Sequence, residues 1–269
     1  MKTLRNAYIQ LHRRYPVLAT VSLGHLLVGG VLLALIPFDS RQVMGISPWV
    51  KPVKFYFSSA VYLGTLAVLL PHLNATHPKA VRFIGWSAAA TIIAENIGIT
   101  IQAARATTSH YNVSSAFDGM LFFVMGVFIM VNTLVVIRAT WLFFRTSPAI
   151  PRPYLWGIRL GLVLFLLGSA VGGMMIRLAS HNVGVPMGGH GLPFTNWSTR
   201  GGDLRIAHFI GLHALQVVPL ASYLVARYVK PAGSFRPVAY TVGIAALYTA
   251  LTVLLFWQAM NGLPLVAGR

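Results

Sequence analysis

The sequence predicts an all-α integral membrane protein, a polytopic bundle of about seven transmembrane helices. Three observations carry that prediction. The 269 residues are 56% hydrophobic and only 9% charged, where a soluble domain carries about 25% charged residues. The mean hydropathy is +0.70. Seven apolar stretches are each long enough to cross a hydrocarbon core of ~30 Å.

The charge balance sets partners. There are 21 Lys+Arg against 4 Asp+Glu, a formal net charge of +17. A soluble nucleic-acid binder would carry basic faces balanced by acids elsewhere, not apolar runs of about twenty residues, so nucleic acid is excluded as a partner. The cations read instead as loop-end anchors in a lipid bilayer. The apolar content excludes disorder. Cysteine is absent, so any metal would rest on His, Asp, Glu, Asn or Gln.

The elements follow in order. The first 15 residues form a short basic amphipathic lead-in (Lys2, Arg5, Arg13 and Arg14 with Leu4, Ile9 and Leu11). Span one, about 16–36, is expected to remain uncleaved, because the apolar run is long and no small-x-small site stands out. Residues 39–54 hold Pro48, Trp49, Pro52, Lys51 and Lys54 and read as an interfacial segment between helices 1 and 2. Spans two to seven fall at about 55–72, 82–104, 119–144, 154–178, 205–228 and 237–260. The longest connection, about 181–204, is rich in Gly, Pro, Asn and His and reads as a structured cap or lid. With the N-terminus inside, thirteen basic residues fall in inner segments and eight in outer ones. That bias predicts an N-in/C-out topology, as expected of a multi-pass protein of a bacterial inner (plasma) membrane.

The chain reads as one integral-membrane domain, 1–269, with a helical-hairpin duplication of 82–144 and 154–228. Each half crosses outward, carries a Ser-His pair near its outer end (Ser109-His110, Ser180-His181) and re-enters after an aspartate (Asp118, Asp203). Each aspartate is read as a helix N-cap.

Ionisable residues inside spans are candidates for function by default. His25, Glu95 and His213 qualify, and a 1.5 Å rise per residue puts them at ~14 Å from the inner edge, ~15 Å below Arg105 and ~12 Å below Arg205 respectively. All three fall in one mid-membrane slab. Glu95, Gly98, Gln102, Arg105 and Ser109 follow helical spacing, so a polar stripe runs from mid-membrane to the outer surface beside His110. On span six, His208 and Gln216 share a face, while His213 lies about 140° away, so the two histidines are no i,i+4 chelating pair. Catalysis is expected from Glu95, His110 and His208. A divalent metal (Zn, Fe or Cu) is expected on Glu95, His208 and His213. A haem b is expected on His25 and His213, with Arg105 and Arg205 beside its propionates. Substrate contacts are expected from Gln102, Asp118, His181, His190, Arg200, Asp203 and Gln216, under a cover formed by 184–202.

These features point to a His/Glu-lined cavity open to the outer side, in a metal- or haem-dependent membrane enzyme acting on a quinone, a lipid or an anionic small molecule. A b-type haem electron carrier, a proton-coupled transporter and a non-catalytic assembly subunit are the alternatives. Span seven has no lysine, which excludes the retinal Schiff base of seven-helix rhodopsins.

Overall fold

The computed structural model describes residues 2–189, 191–229 and 235–268. Its helices are α1 (Lys2–Arg14), α2 (Pro16–Leu35), α3 (Val50–Leu69), α4 (Pro78–Ala104), α5 (Ala116–Arg145), α6 (Arg152–Arg177), α7 (Leu204–Tyr228) and α8 (Phe235–Met260). Single 3-10 turns extend α2 through Phe38 and α3 through Leu73. A two-residue antiparallel ribbon, β1 (Asn182–Val183) with β2 (Gly202–Asp203), joins α6 to α7. Seven helices, all but α1, are long and apolar enough to cross a membrane. The chain is therefore a multi-pass helical bundle.

Local chemistry places the boundaries. Tyr15 takes an extended φ of −151° between α1 and α2, as the residue before a proline prefers. Pro16 then opens α2, where its missing N–H costs nothing. Helix α3 begins at Val50, so the last five residues of the expected interfacial segment are helical. Pro52 is tolerated because it is the third helical residue, whose N–H has no partner in the first turn. Pro78 likewise opens α4 four residues ahead of the expected start. Helix α5 starts at Ala116 through a capping box. Ser115 Oγ accepts the Asp118 N–H at 3.1 Å and donates to the Asp118 carboxylate at 2.5 Å. Asp118 thus sits inside the first turn and Ser115 is the cap, whereas Asp203 caps α7 as expected and accepts from Arg205 N.

The helices fall into two compact units, Met1–Ala139 and Thr140–Arg269. In the first, α2 packs on α3 through Leu32, Val53 and Tyr56, and Ser22 Oγ donates to the Ala60 carbonyl at 2.8 Å. Leu18, Leu63, Leu66, Leu70, Leu73 and Ile84 are fully buried in this unit. In the second unit, α6 and α7 touch backbone to backbone. A Cβ on Gly168 would lie 2.6 Å from the Gly211 backbone, and one on Gly161 would lie 3.0 Å from the Ala214 carbonyl. Helix α8 closes on α7 through Tyr248, whose hydroxyl donates to the Ile210 carbonyl at 2.7 Å.

Candidate functional site

Glu95 is 3% exposed on α4, nine residues before the helix ends. That is about 14 Å from the helix terminus, yet a loop residue reaches it. Helix α4 closes with Ala106 in the left-handed region (φ 51°) and Thr107 N donating back to the Gln102 carbonyl. This six-to-one closure reverses the chain. The α4–α5 connection then folds back into the unit and carries His110 down to the carboxylate. His110 Nε2 lies 3.6 Å from Glu95 Oε1. On its other edge, Nδ1 lies 3.0 Å from Ser109 Oγ and 3.3 Å from Lys51 Nζ on α3. Phe55, Tyr111 and Phe122 wall the imidazole, with ring centroids 6.1, 6.2 and 5.9 Å away.

The donor inventory fixes the tautomer. An ammonium only donates, so Nδ1 must accept from Lys51, which leaves the ring proton on Nε2, facing Glu95. Lys51, His110 and Glu95 therefore form a directional row, with the imidazole between the amine and the carboxyl group. At 3.6 Å the last contact is an ion-pair distance, longer than a hydrogen bond. Glu95 Oε2 is buried and has no hydrogen-bond partner among the described residues.

Two polar layers bracket the row. Toward the α4–α5 loop, the Asp118 carboxylate accepts from Gln102 Nε2 at 2.7 Å and pairs with Arg105 at 2.5 Å. Arg105 also donates to Gln102 Oε1 at 2.8 Å. The expected polar stripe of α4 thus faces α5. Gly98 makes room there for Met125, whose sulfur a Cβ would meet at 2.7 Å. Below Glu95, Asn132 Oδ1 accepts from Tyr62 Oη at 3.0 Å and Thr91 Oγ1 at 3.5 Å, and Asn96 Nδ2 donates to Ser59 Oγ at 2.9 Å. His25 sits in this unit on α2. Its Nδ1–H donates to the Val21 carbonyl at 2.8 Å, its ring lies 5.2 Å from Tyr56, and its buried Nε2 has no partner among the described residues.

The remaining candidates lie in the second unit. His208 Nδ1–H donates to the Gly168 carbonyl at 2.8 Å, and its ring lies against Gly172. His213 donates to the Phe209 carbonyl at 2.8 Å and stacks on the Phe209 ring at 4.0 Å. Asp203, 1% exposed, pairs with Arg205 at 2.6 Å, and Arg205 also donates to the Asn196 carbonyl. The two arginines expected beside haem propionates therefore each hold an aspartate. The His181 carbonyl accepts from Leu204 N. The Arg200 N–H donates to Ser198 Oγ at 3.3 Å. Gln216 is half-buried on α7. His190 lies outside the described residues. The α6–α7 connection is tied to the C-terminal tail, where Gly268 N donates to the Thr199 carbonyl at 2.9 Å.

Among the described residues, no group of three or more His, Asp or Glu can hold a metal ion. Glu95 belongs to the first unit, His208 and His213 to the second. Sequence reasoning missed Lys51, which it assigned to the interfacial segment 39–54, and the ring wall of Phe55, Tyr111 and Phe122. Asn132, an amide inside an apolar run, was a legible signal of the lower layer. Compared with known proteins, the chain matches no family model, no curated protein and no solved structure.

Proposed function

We propose that this is a proton-translocating integral membrane protein whose proton-binding group is Glu95. The observation that carries the reading is the row Lys51–His110–Glu95, with Nδ1 held at 3.3 Å and Nε2 at 3.6 Å. A proton passed from the Lys51 ammonium to Nδ1 creates an imidazolium. The imidazolium then releases its Nε2 proton to Glu95 Oε1, and Lys51 regains a proton from water. The ring must rotate or exchange its protons before the next transfer, and Ser109 Oγ is placed to hold Nδ1 meanwhile. An ionisable residue at mid-membrane with a defined partner suits a relay of this kind.

We place the protein in a bacterial inner membrane, N-in and C-out, on the excess of basic residues in the segments that orientation puts inside. The relay then opens outward. The test uses sealed proteoliposomes loaded with a pH dye and given an inside-negative potential. Wild type moves protons, and Glu95→Gln and His110→Ala lower the rate on the order of 10²-fold, the usual contribution of a positioned acid–base group. Equal rates in wild type and Glu95→Gln would refute the proposal.

A further inference from the structure

Helix α4 has a second face. Phe83, Trp86, Ile93, Ile97 and Ile101 recur at intervals of three, seven, four and four residues, which keeps them on one helical face, and are 59, 53, 38, 50 and 37% exposed. This stripe, on the side away from Glu95, Gly98 and Gln102, is the surface that α4 turns to lipid. At its N-terminal end the stripe runs into exposed cations, Lys79 and Arg82.

Helix α1 brings two more. Its last residues, Arg13 and Arg14, are exposed, and Tyr15 fastens that end to the first turns of α4. The Tyr15 hydroxyl donates to the Val81 carbonyl at 2.8 Å and reaches the Arg82 carbonyl at 3.4 Å. Gly85 permits this, because a Cβ there would overlap the phenol ring. Burial raises the Tyr15 phenol above its usual range, and the Arg82 charge opposes that shift. Arg14 in turn acts electrostatically on His72 at the end of α3.

These cations lack a carboxylate. Unit one has three acids, and each sits elsewhere. Glu95 is thirteen residues up α4 from Arg82, about 20 Å along the axis. Asp118 pairs with Gln102, about 30 Å along the same axis. Asp39 is bound by Arg41, which also donates to the Ala104 carbonyl at the far end of α4. None of Arg13, Arg14, Lys79 and Arg82 makes a salt bridge with any described residue. Three guanidinium groups and one ammonium with no internal counter-ion, continuous with an apolar lipid-facing stripe, match one amphipathic ligand: a phosphate head joined to acyl chains.

We infer that the corner between α1 and α4 is a binding site for an anionic phospholipid, its phosphate on Arg13, Arg14, Lys79 and Arg82 and its chains along Phe83, Trp86 and Ile93. The site is independent of the proton relay. Trp86, one helical turn above Arg82, is the natural reporter.

The protein is reconstituted into phosphatidylcholine bilayers containing phosphatidylglycerol, with bromine placed on the chains of one lipid or the other. Quenching of Trp86 is read as the difference between wild type and Trp86→Phe. Brominated phosphatidylglycerol is expected to quench severalfold more than brominated phosphatidylcholine at equal mole fraction. The preference disappears in Arg13→Gln/Arg14→Gln/Arg82→Gln and persists in the matching lysine variant, which separates lost charge from lost folding. Equal quenching by both lipids overturns the inference, as does a preference that survives the glutamine variant. Loss of the preference on adding inorganic phosphate identifies a soluble-anion site and also overturns it. Absence of quenching by either lipid means that a protein surface covers the stripe, with the same consequence.

Discussion

Gly168 and Gly211 let two helix backbones meet, and the cost of filling that space is a residue-scale question. An added methyl at Gly168 lies 2.6 Å from the Gly211 backbone, which no rotamer change relieves. Gly168→Ala should therefore destabilise the second unit by on the order of 1–3 kcal/mol, read as a lower thermal midpoint in detergent. Gly98→Ala meets the flexible Met125 side chain and Leu121 Cδ1 at 3.5 Å, with no backbone atom among them, and should cost less. Asp39 supplies a residue-scale pH dependence. The Arg41 guanidinium holds its carboxyl well below the usual range, helped by the Arg41 N–H and the Trp49 indole. A depressed carboxylate contributes stability that is present above the unfolded pKa of about 3.9 and is lost as pH falls further. Trp49, whose Nε1 donates to Asp39 at 2.8 Å, should change its emission only well below the usual carboxylate range, where the folded Asp39 takes up its proton. Asp39→Asn should abolish that change. At this scale Glu95 was legible, since a lone carboxylate in an apolar run has few uses. Lys51 was not, because a lysine beside prolines reads as surface until a helix carries it inward.

Helix α4 and the loop that follows it form the working element. The helix supplies Glu95, and its left-handed closure at Ala106 turns the chain so that His110 returns to mid-helix depth. The Ser115–Asp118 capping box and the Arg105–Asp118–Gln102 contacts fasten the loop from above. Ser115→Ala/Asp118→Ala should cost about 1–2 kcal/mol through the lost cap, with Arg105 too exposed for its ion pair to add much. Limited proteolysis should then cut within residues 105–115 faster than in wild type. The polar stripe on α4 was readable from spacing alone. Its partner was not, because periodicity reports a face and leaves open what covers it. The fold-back of the loop is set by tertiary contacts with Phe55 and Phe122, which local sequence does not encode. Helix α6 also ends in a left-handed alanine, Ala179 (φ 48°), with Ser180 N donating to the Met175 carbonyl. The two closures are alike, but Asp203 caps α7 while Asp118 lies inside α5.

On the scale of the whole molecule, seven apolar helices were legible because about twenty apolar residues in a row have little else to become. Prolines shifted the starts of α3 and α4, since a first turn tolerates the residue that an interior rejects. The segregation of charge is equally global. Asp39 and Asp118 lie toward one end of the first unit and uncompensated cations toward the other. The N-in/C-out proposal predicts that a reporter fused after residue 269 faces outward and one inserted between α5 and α6 faces inward.

The central claim is that Glu95 is a proton-exchanging group coupled to His110, and infrared difference spectroscopy across a pH titration tests it most directly. The account predicts a protonated-carboxyl band in the wild type that downshifts in D2O, vanishes in Glu95→Gln and moves its titration in His110→Ala. A spectrum with no titrating carboxyl band, or one unchanged by Glu95→Gln, would contradict it.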